Sequence, residues 1–388
     1  MKIAVSTIRI IVGVLFIVSG LVKANDPLGL SYKMQEFFEI WNAGLASSDS
    51  FLKNPLTALF HFLHDHSLSL SVIMITLEIM AGIALLIGWK KRFVLNSLLV
   101  LILFFTFLTA YAFLSGKFKN CGCFGDCLPI TPFTSFMKDV VLLVMIVFLI
   151  IFNRYINPLF TAGARSAILL LSLLLSLALQ WYVLNYLPLV DCLPFKKGNN
   201  IAQQMKIPAG AVPDSFAIRF VYEKGGQKHE FSPESLPADL DTYKFVDRVD
   251  RLVRKGNAEA PIKGFALNGP NMDSTGIVLA QPFSVLVFCE NFTKNNEDVW
   301  MNDLKELKKA ASTKNIPVYL VTAASVAQAN ELLRKNGLGD VQVFTCDNTA
   351  IRTAARTNPT LYLLKQGTVV NKYSFREFDD AKSDLEKL

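Results

Sequence analysis

Residues 68–92 read LSLSVIMITLEIMAGIALLIGWKKR. From Leu68 to Trp89 a single charged side chain, Glu78, interrupts a largely apolar run, which stops at Lys90-Lys91-Arg92. A helix needs roughly 20 apolar residues to cross the hydrocarbon core of a bilayer. The stretch therefore reads as a membrane span and sets the fold class of the front half of the chain. Four more runs of the same kind lie around it, at about Ile8–Val22, Phe93–Leu114, Met137–Phe152 and Ala167–Leu187. The last ends in Trp181, Tyr182 and Tyr186, the aromatic residues favoured at a membrane–water boundary. Of 388 residues 52% are hydrophobic, concentrated before residue 190, and beyond residue 196 Lys, Asp and Glu recur as in a soluble protein. Lys23-Ala24-Asn25-Asp26-Pro27 offers no small-x-small cleavage site, so the first span is expected to be retained.

The positive-inside rule places Lys90-Lys91-Arg92 in the cytoplasm, with Arg154 and Arg165 in the other short connection on that side. The N-terminus is then cytoplasmic, and everything after residue 190 faces outward. Lys33, Lys53, Lys117 and Lys119 fall on the outer side and reduce the asymmetry. For a bacterial chain this means a multi-pass inner-membrane protein with a periplasmic C-terminal domain, on the side where disulfides persist. The net charge of +7 comes without a Lys/Arg stripe interleaved with aromatics, so the expected partner is the lipid bilayer and not a nucleic acid. Between the first two spans, Tyr32–Trp41 and Phe51–Leu63 are amphipathic and are expected to lie on the membrane surface. His61, His64 and His66 close the second stretch; no metal is expected there, and no histidine inside a span offers itself to a haem.

The outer side carries KNCGCFGDC, residues 119–127, with three of the six cysteines. Cys121, Cys123 and Cys127 fit a redox switch, a metal site or a structural staple. A Cys-x-Cys disulfide closes a very small ring and is oxidising, and Gly122 and Gly125 permit the backbone angles of such a loop. Cys127 fits a resolving thiol. Cys192 follows the fifth span as closely as Cys121 follows the third, so in a compact bundle it is a candidate exchange partner. A zinc site would more commonly use a Cys-x2-4-Cys spacing. Glu78 lies mid-span, where an ionisable group is costly and usually functional. Pairing with Arg9, proton acceptance or plain bundle packing all suit it.

The spans also carry a recognisable pattern. Arg9, Gly13, Phe16, Ser19-Gly20 and Lys23 occur in the first, and Glu78, Gly82 and Gly88 in the second. The third leads into Cys121-Gly122-Cys123-Phe124-Gly125, and the fourth opens on Lys138-Asp139. Over about residues 1–155 this resembles the DoxX-like four-helix membrane proteins, and the Cys-Gly-Cys-Phe-Gly element resembles their MauE branch. The resemblance implies membrane thiol and quinone redox chemistry, with Cys121 and Cys123 at the positions of the family's redox cysteines. Cys127, a fifth span and a large outer domain depart from the short family members.

In the soluble half, Ser215–Tyr222, the Gly225-Gly226 turn and Lys228–Phe231 read as a hairpin. From Ile262, short apolar runs at 284–288, 317–321 and 341–345 alternate with amphipathic helices at 297–311 and 326–336. A further helix precedes the strands at 360–364 and 369–373, giving a three-layer α/β domain. This order, with Asn358-Pro359-Thr360 before the final hairpin, resembles membrane-anchored thioredoxin-like domains over about residues 262–388. The position of the family's Cys-x-x-Cys pair falls on Thr293 and Asn296, so the resemblance is to a scaffold without its dithiol. Cys289, ending the first strand, and Cys346 are candidates for pairing with each other or for burial as inert thiols.

The expected organisation is a four-helix membrane bundle over 1–160, a fifth span over 161–195, a β-containing connector over 196–261 and the thioredoxin-like domain over 262–388. The expected function is membrane thiol–disulfide oxidoreductase activity towards a periplasmic protein client, through Cys121, Cys123, Cys127 and Cys192, with Glu78 assisting and a quinone as the candidate cofactor. The competing expectation is a non-catalytic membrane adaptor whose α/β domain binds an envelope partner. Few intramembrane charges and no repeated half-bundles speak against a transporter.

Overall fold

The chain was analysed as a computed structural model, which describes residues 1–46, 52–118, 125, 127, 128, 130–254, 256–270, 272–292 and 294–388. Five helices are long and apolar enough to cross a membrane: α1 (Lys2–Ala24), α4 (Ser67–Ile87), α5 (Lys91–Ser115), α6 (Pro132–Ile151) and α7 (Ala162–Tyr186). Between α1 and α4 lie the shorter α2 (Pro27–Ala46) and α3 (Lys53–Asp65). Local chemistry sets several ends. Gly88 and Gly116 take left-handed angles after α4 and α5. The Thr131 side chain accepts from the Thr134 amide ahead of α6, with Pro132 in its first turn.

Helices α1 and α4 run antiparallel in close contact. Glycine makes the approach possible: a Cβ on Gly82 would lie 2.7 Å from the Gly13 carbonyl oxygen, and one on Gly20 would lie 2.5 Å from the Ile79 side chain. Between apolar helices in lipid, such small-residue contact is a main source of association. At the end of the bundle bearing Gly88, Arg9 donates to the carbonyls of Leu85, Leu86 and Asn157. The fifth span joins α4 through Gln180, whose amide donates to Thr76 at 3.0 Å.

Beyond α7 the chain enters the α/β part at once. Phe195 is fully buried against Phe265 and Tyr362, and the Gly198 and Ile201 amides donate to the Val369 and Gly367 carbonyls. Residues 193–201, expected to belong to the span exit and the connector, thus pack as part of the α/β core, because Phe195 and Ile201 are buried in it and backbone hydrogen bonds to Gly367 and Val369 hold them there. After α8 (Ile201–Gln204) comes a separate antiparallel sheet, β1 (Ser215–Lys224), β2 (Gln227–Phe231) and β3 (Lys244–Arg254), in the order β2-β1-β3. Its first two strands are the expected hairpin; β3 was not foreseen.

The main sheet follows α9 (Thr275–Leu279) and contains β4 (Ser284–Cys289), β5 (Val318–Thr322), β6 (Gln342–Thr345), β7 (Thr360–Lys365) and β8 (Thr368–Ser374). Its order is β6-β5-β4-β7-β8; β4, β5 and β6 are parallel, and β7 and β8 are antiparallel to their neighbours. Helices α10 (Lys294–Thr313), α11 (Val326–Lys335) and α13 (Phe378–Glu386) cover one face, and α8, α9 and α12 (Asn348–Ala354) the other. All six residues of β4 are buried, as expected for a central strand covered on both sides. The Asn358–Pro359 peptide is cis.

Replacing Gly82 by alanine should separate α1 from α4 and cost about 1–3 kcal/mol, the usual range for overpacking a core. Gly163→Ala, in α7 with nothing within 4 Å of its added Cβ, should be near neutral. Thermal unfolding of both variants in detergent checks this.

Candidate functional site

The end of the bundle that carries the α/β domain is where chemistry concentrates. Cys127, ahead of α6, is bonded to Cys192, after α7, with their Cα atoms 4.9 Å apart and 65 residues between them in sequence. Both residues are partly exposed. The sequence reading placed these two residues near one another and left their relation open; the structure makes them a disulfide. Cys121 and Cys123 lie outside the described residues. Between them and Cys127, Gly125 is described: it takes φ +58°, and a Cβ on it would lie 3.9 Å from the carbonyl of Val22 in the last turn of α1. Gly125 therefore stands over the end of α1.

Directly below is a buried polar cluster. Lys23 donates to both carboxylate oxygens of Glu78 at 2.7 Å, and the two side chains are 3% and 4% exposed. Ser19 donates to Glu78 at 3.1 Å and accepts from Lys23 at 3.2 Å. The Lys23 ammonium also sits 4.6 Å from the centroid of the Phe105 ring. Across the bundle, Asp139 is held by Thr109 and Lys138, both at 3.0 Å. The space enclosed by Phe16, Ser19, Lys23, Glu78 and Asp139 is about 20 Å³, enough for one water.

Of the readings left open for Glu78, pairing with Arg9 is not found. Arg9 is ten residues from Ser19 along α1, which is about 15 Å of helix, and it is engaged with carbonyls at the far end. Lys23 is the partner. It was part of the family pattern but had not been singled out as a site residue. Its signal was its placement one turn after Ser19, on the face that meets α4.

Above the membrane helices, the Cys127–Cys192 bond lies beside a cleft of about 850 Å³ between α2 and α12, lined by Tyr32, Lys33, Glu36, Cys192, Arg352 and Arg356 among others. The walls are clamped together. Arg356 pairs with Asp26 at 2.7 Å, Arg352 pairs with Glu290 at 2.7 Å, and Tyr32 donates to Glu290 at 3.0 Å. The guanidinium carbons of Arg352 and Arg356 lie 4.8 and 5.8 Å from the Tyr32 ring centroid. Burial, then the facing Glu290 carboxylate, push the Tyr32 phenol far above its ordinary range, so it acts as a hydrogen-bond donor. Next to Cys192, Asp191 accepts from Lys372 at 2.8 Å, and Lys372 is itself lowered by burial. None of Asp26, Tyr32, Glu290, Arg352 or Arg356 was marked by the sequence, because no local motif relates them.

Cys289 ends β4 and lies 3.2 Å from the Asn291 carbonyl; Cys346 follows β6. Both are buried thiols rather than a disulfide pair. Burial pushes the Cys346 thiol up, away from the reactive thiolate. The expected dithiol positions offer nothing to add: Thr293 lies outside the described residues, and Asn296 falls within α10. Of the histidines, His61 meets Asn42, His64 lies beside Glu39 and Asp65, and His66 stacks on Phe62. They face different partners, and among the described residues no cluster has the makings of a metal site.

Residues 54–152, from α3 to the end of α6, match the family described as Methylamine utilisation protein MauE. Residues 216–255, essentially the three-stranded sheet, match a Domain of unknown function (DUF8463). The chain is also similar to Protein TlpB of Flavobacterium psychrophilum, at 27% identity over 146 residues. That alignment covers 37% of this chain and 35% of the relative, so the chain spans about a third of the length of the curated protein it matches. No solved structure matches. Five apolar helices and the MauE match together make this a multi-pass membrane protein with a MauE-like membrane domain and a C-terminal α/β sheet domain.

Lys23→Met should destabilise the protein by about 3–5 kcal/mol, because it takes the ion-pair partner from a carboxyl group buried in the bundle. The double variant K23M/E78L should recover most of that loss. Denaturation midpoints in detergent, compared across wild type, single and double variants, test the pairing. In native protein, Cys289 and Cys346 should resist maleimide until the chain is unfolded, as read by mass spectrometry.

Proposed function

We propose that this protein is a membrane thiol–disulfide exchange protein acting on the outer side of a bacterial inner membrane, with Cys127–Cys192 as the bond that meets the client. The observation that carries this reading is the partly exposed, disulfide-bonded Cys192 at the wall of a cleft of about 850 Å³. A client thiolate entering the cleft attacks the Cys192 sulfur. The Cys127–Cys192 bond breaks, Cys127 leaves as a thiolate and takes up a proton, and a mixed disulfide joins the client to Cys192. The client's second thiolate then displaces Cys192, so the client is oxidised by two electrons and the Cys127/Cys192 pair is reduced. Exchange with a Cys121–Cys123 disulfide passes the two electrons inward, and a membrane quinone is the acceptor that regenerates the site.

The resemblance to DoxX-like and MauE-like proteins supports the electron route. The Lys23–Glu78–Ser19 cluster near Gly125 supports a role for Glu78 in handling the protons released as thiols are oxidised. The α/β domain is read as thioredoxin-like on its strand order, two parallel strand–helix units followed by an antiparallel hairpin. Its task is to form the cleft wall. The basic connections at Lys90-Lys91-Arg92, Arg154 and Arg165 support a cytoplasmic N-terminus.

A second reading, a non-catalytic adaptor, draws on the two buried thiols of the α/β domain and on the engagement of the β4 end, where Glu290 is held by Tyr32 and Arg352. In that version the Cys127–Cys192 bond is a staple.

Acid trapping with maleimide gel shift separates the two. Exchange predicts that Cys127→Ser accumulates covalent adducts through Cys192, that Cys192→Ser does not, and that the wild-type pair shifts between oxidised and reduced with growth conditions. Complete and invariant oxidation with no adduct in either variant would discard exchange and leave the adaptor.

A further inference from the structure

Strand β3 is the edge of its sheet: it pairs with β1 on one side and, among the described residues, with no strand on the other. An edge strand presents a row of unpaired backbone donors and acceptors, a template for a further strand. This sheet is also poorly covered. Among its described side chains Val221, 9% exposed, is the one buried hydrophobic residue, while Phe216, Phe245 and Val253 are 52%, 54% and 67% exposed. The pairing of β3 with β1 runs one-to-one from Asp247 to Leu252 and is interrupted by irregularities on either side, near Val246 and Val253.

The order of charges along that regular stretch is unusual. Residues 245–253 read Phe-Val-Asp-Arg-Val-Asp-Arg-Leu-Val. Turned end for end about Val249, the sequence meets its own complement. Arg248 falls opposite Asp250, Asp247 opposite Arg251, Phe245 opposite Val253, and Val249 opposite itself. An edge that uses charge to repel other strands does so most simply with one sign; here every charge between the two irregularities meets its opposite. The like-charged Lys244 and Arg254 fall outside that stretch. Opposite charges directly across an antiparallel pair stabilise it, and like charges destabilise it. Within one chain Arg248 already binds Asp250, at 2.8 Å, so both side chains lie on one face of the sheet.

We propose that β3 is a self-association edge: two copies of this chain pair antiparallel through β3, centred on Val249, making one continuous six-stranded sheet. The contact is isologous, so each ion pair occurs twice. It is independent of the redox reading, since none of its residues lies near the cysteines in sequence or in the cleft.

The test uses the full-length protein in detergent or nanodiscs, with cysteine placed on the proposed two-fold. In V249C the two introduced thiols face each other, and a short bismaleimide should give a covalent dimer absent from wild type. In V253C they would be ~26 Å apart, eight residues along paired strands, and should not link. R248D or D250R, each added to V249C, sets like charges opposite one another twice and should abolish the link. Mixing the R248D chain with a differently tagged D250R chain should restore it as a heterodimer, although the intrachain 248–250 pair stays broken in both. That outcome separates association from mere damage to the strand. No V249C link above the V253C background overturns the proposal. So does a link that the single reversals leave unchanged.

Discussion

Asp26 and Arg356 are 330 residues apart in sequence and 2.7 Å apart in space, and the rest of the architecture depends on that contact and its neighbours. Arg356 is 4% exposed at its side chain, and Tyr32 lies between it and the Arg352–Glu290 pair. A phenol that donates to a carboxylate while two guanidinium groups lie against its ring is a dense set of charge-assisted contacts. The set ties α2, at the end of the bundle that carries the α/β domain, to the end of β4 and to α12. Lys372 and Asp191 hold the far side, one residue before Cys192. These ties hold the walls of the cleft together beside the disulfide.

The bundle beneath is organised by a different balance. Lipid offers helices no hydrophobic reason to associate, so glycine-mediated approach and a few satisfied polar groups do that work. Gly13, Gly20 and Gly82 bring α1 against α4 closely enough for Lys23 and Ser19 to reach Glu78. An ion pair with 3–4% exposure is an expensive way to join two helices when packed apolar residues would serve. It lies near Gly125, at the end of the bundle where Cys127 is bonded to Cys192.

The α/β part carries cysteines that chemistry does not favour and a surface that chemistry could have used. Cys289 and Cys346 are buried, and the β4 end is engaged by Tyr32 and Arg352. The domain serves as a positioned wall, and Cys192, at its entry, is the sulfur it exposes to the cleft. Separate from this, the 215–254 sheet stands apart from both hydrophobic cores of the domain, with its own edge and its own exposed apolar residues.

Much of the architecture could be read directly from the chain. Hydropathy alone located the five spans, because a bilayer imposes a length of apolar sequence that few other structures require. The strand–helix alternation after residue 262 was legible for a similar reason: buried strands such as Val285–Phe288 are continuous apolar runs between amphipathic helices. Strand β3 escaped, because Lys-Phe-Val-Asp-Arg-Val-Asp-Arg has neither clean alternation nor an apolar run. The candidate cysteines stood out by type and side of the membrane, and the nearness of Cys127 to Cys192 followed from topology. Tertiary structure alone decided that these two are bonded, that Glu78 answers to Lys23 and not Arg9, and that Tyr32, Glu290, Arg352 and Arg356 meet. Those facts depend on helix register and domain docking. Both are set by close contacts between residues hundreds of positions apart, and no local pattern in a sequence encodes such contacts.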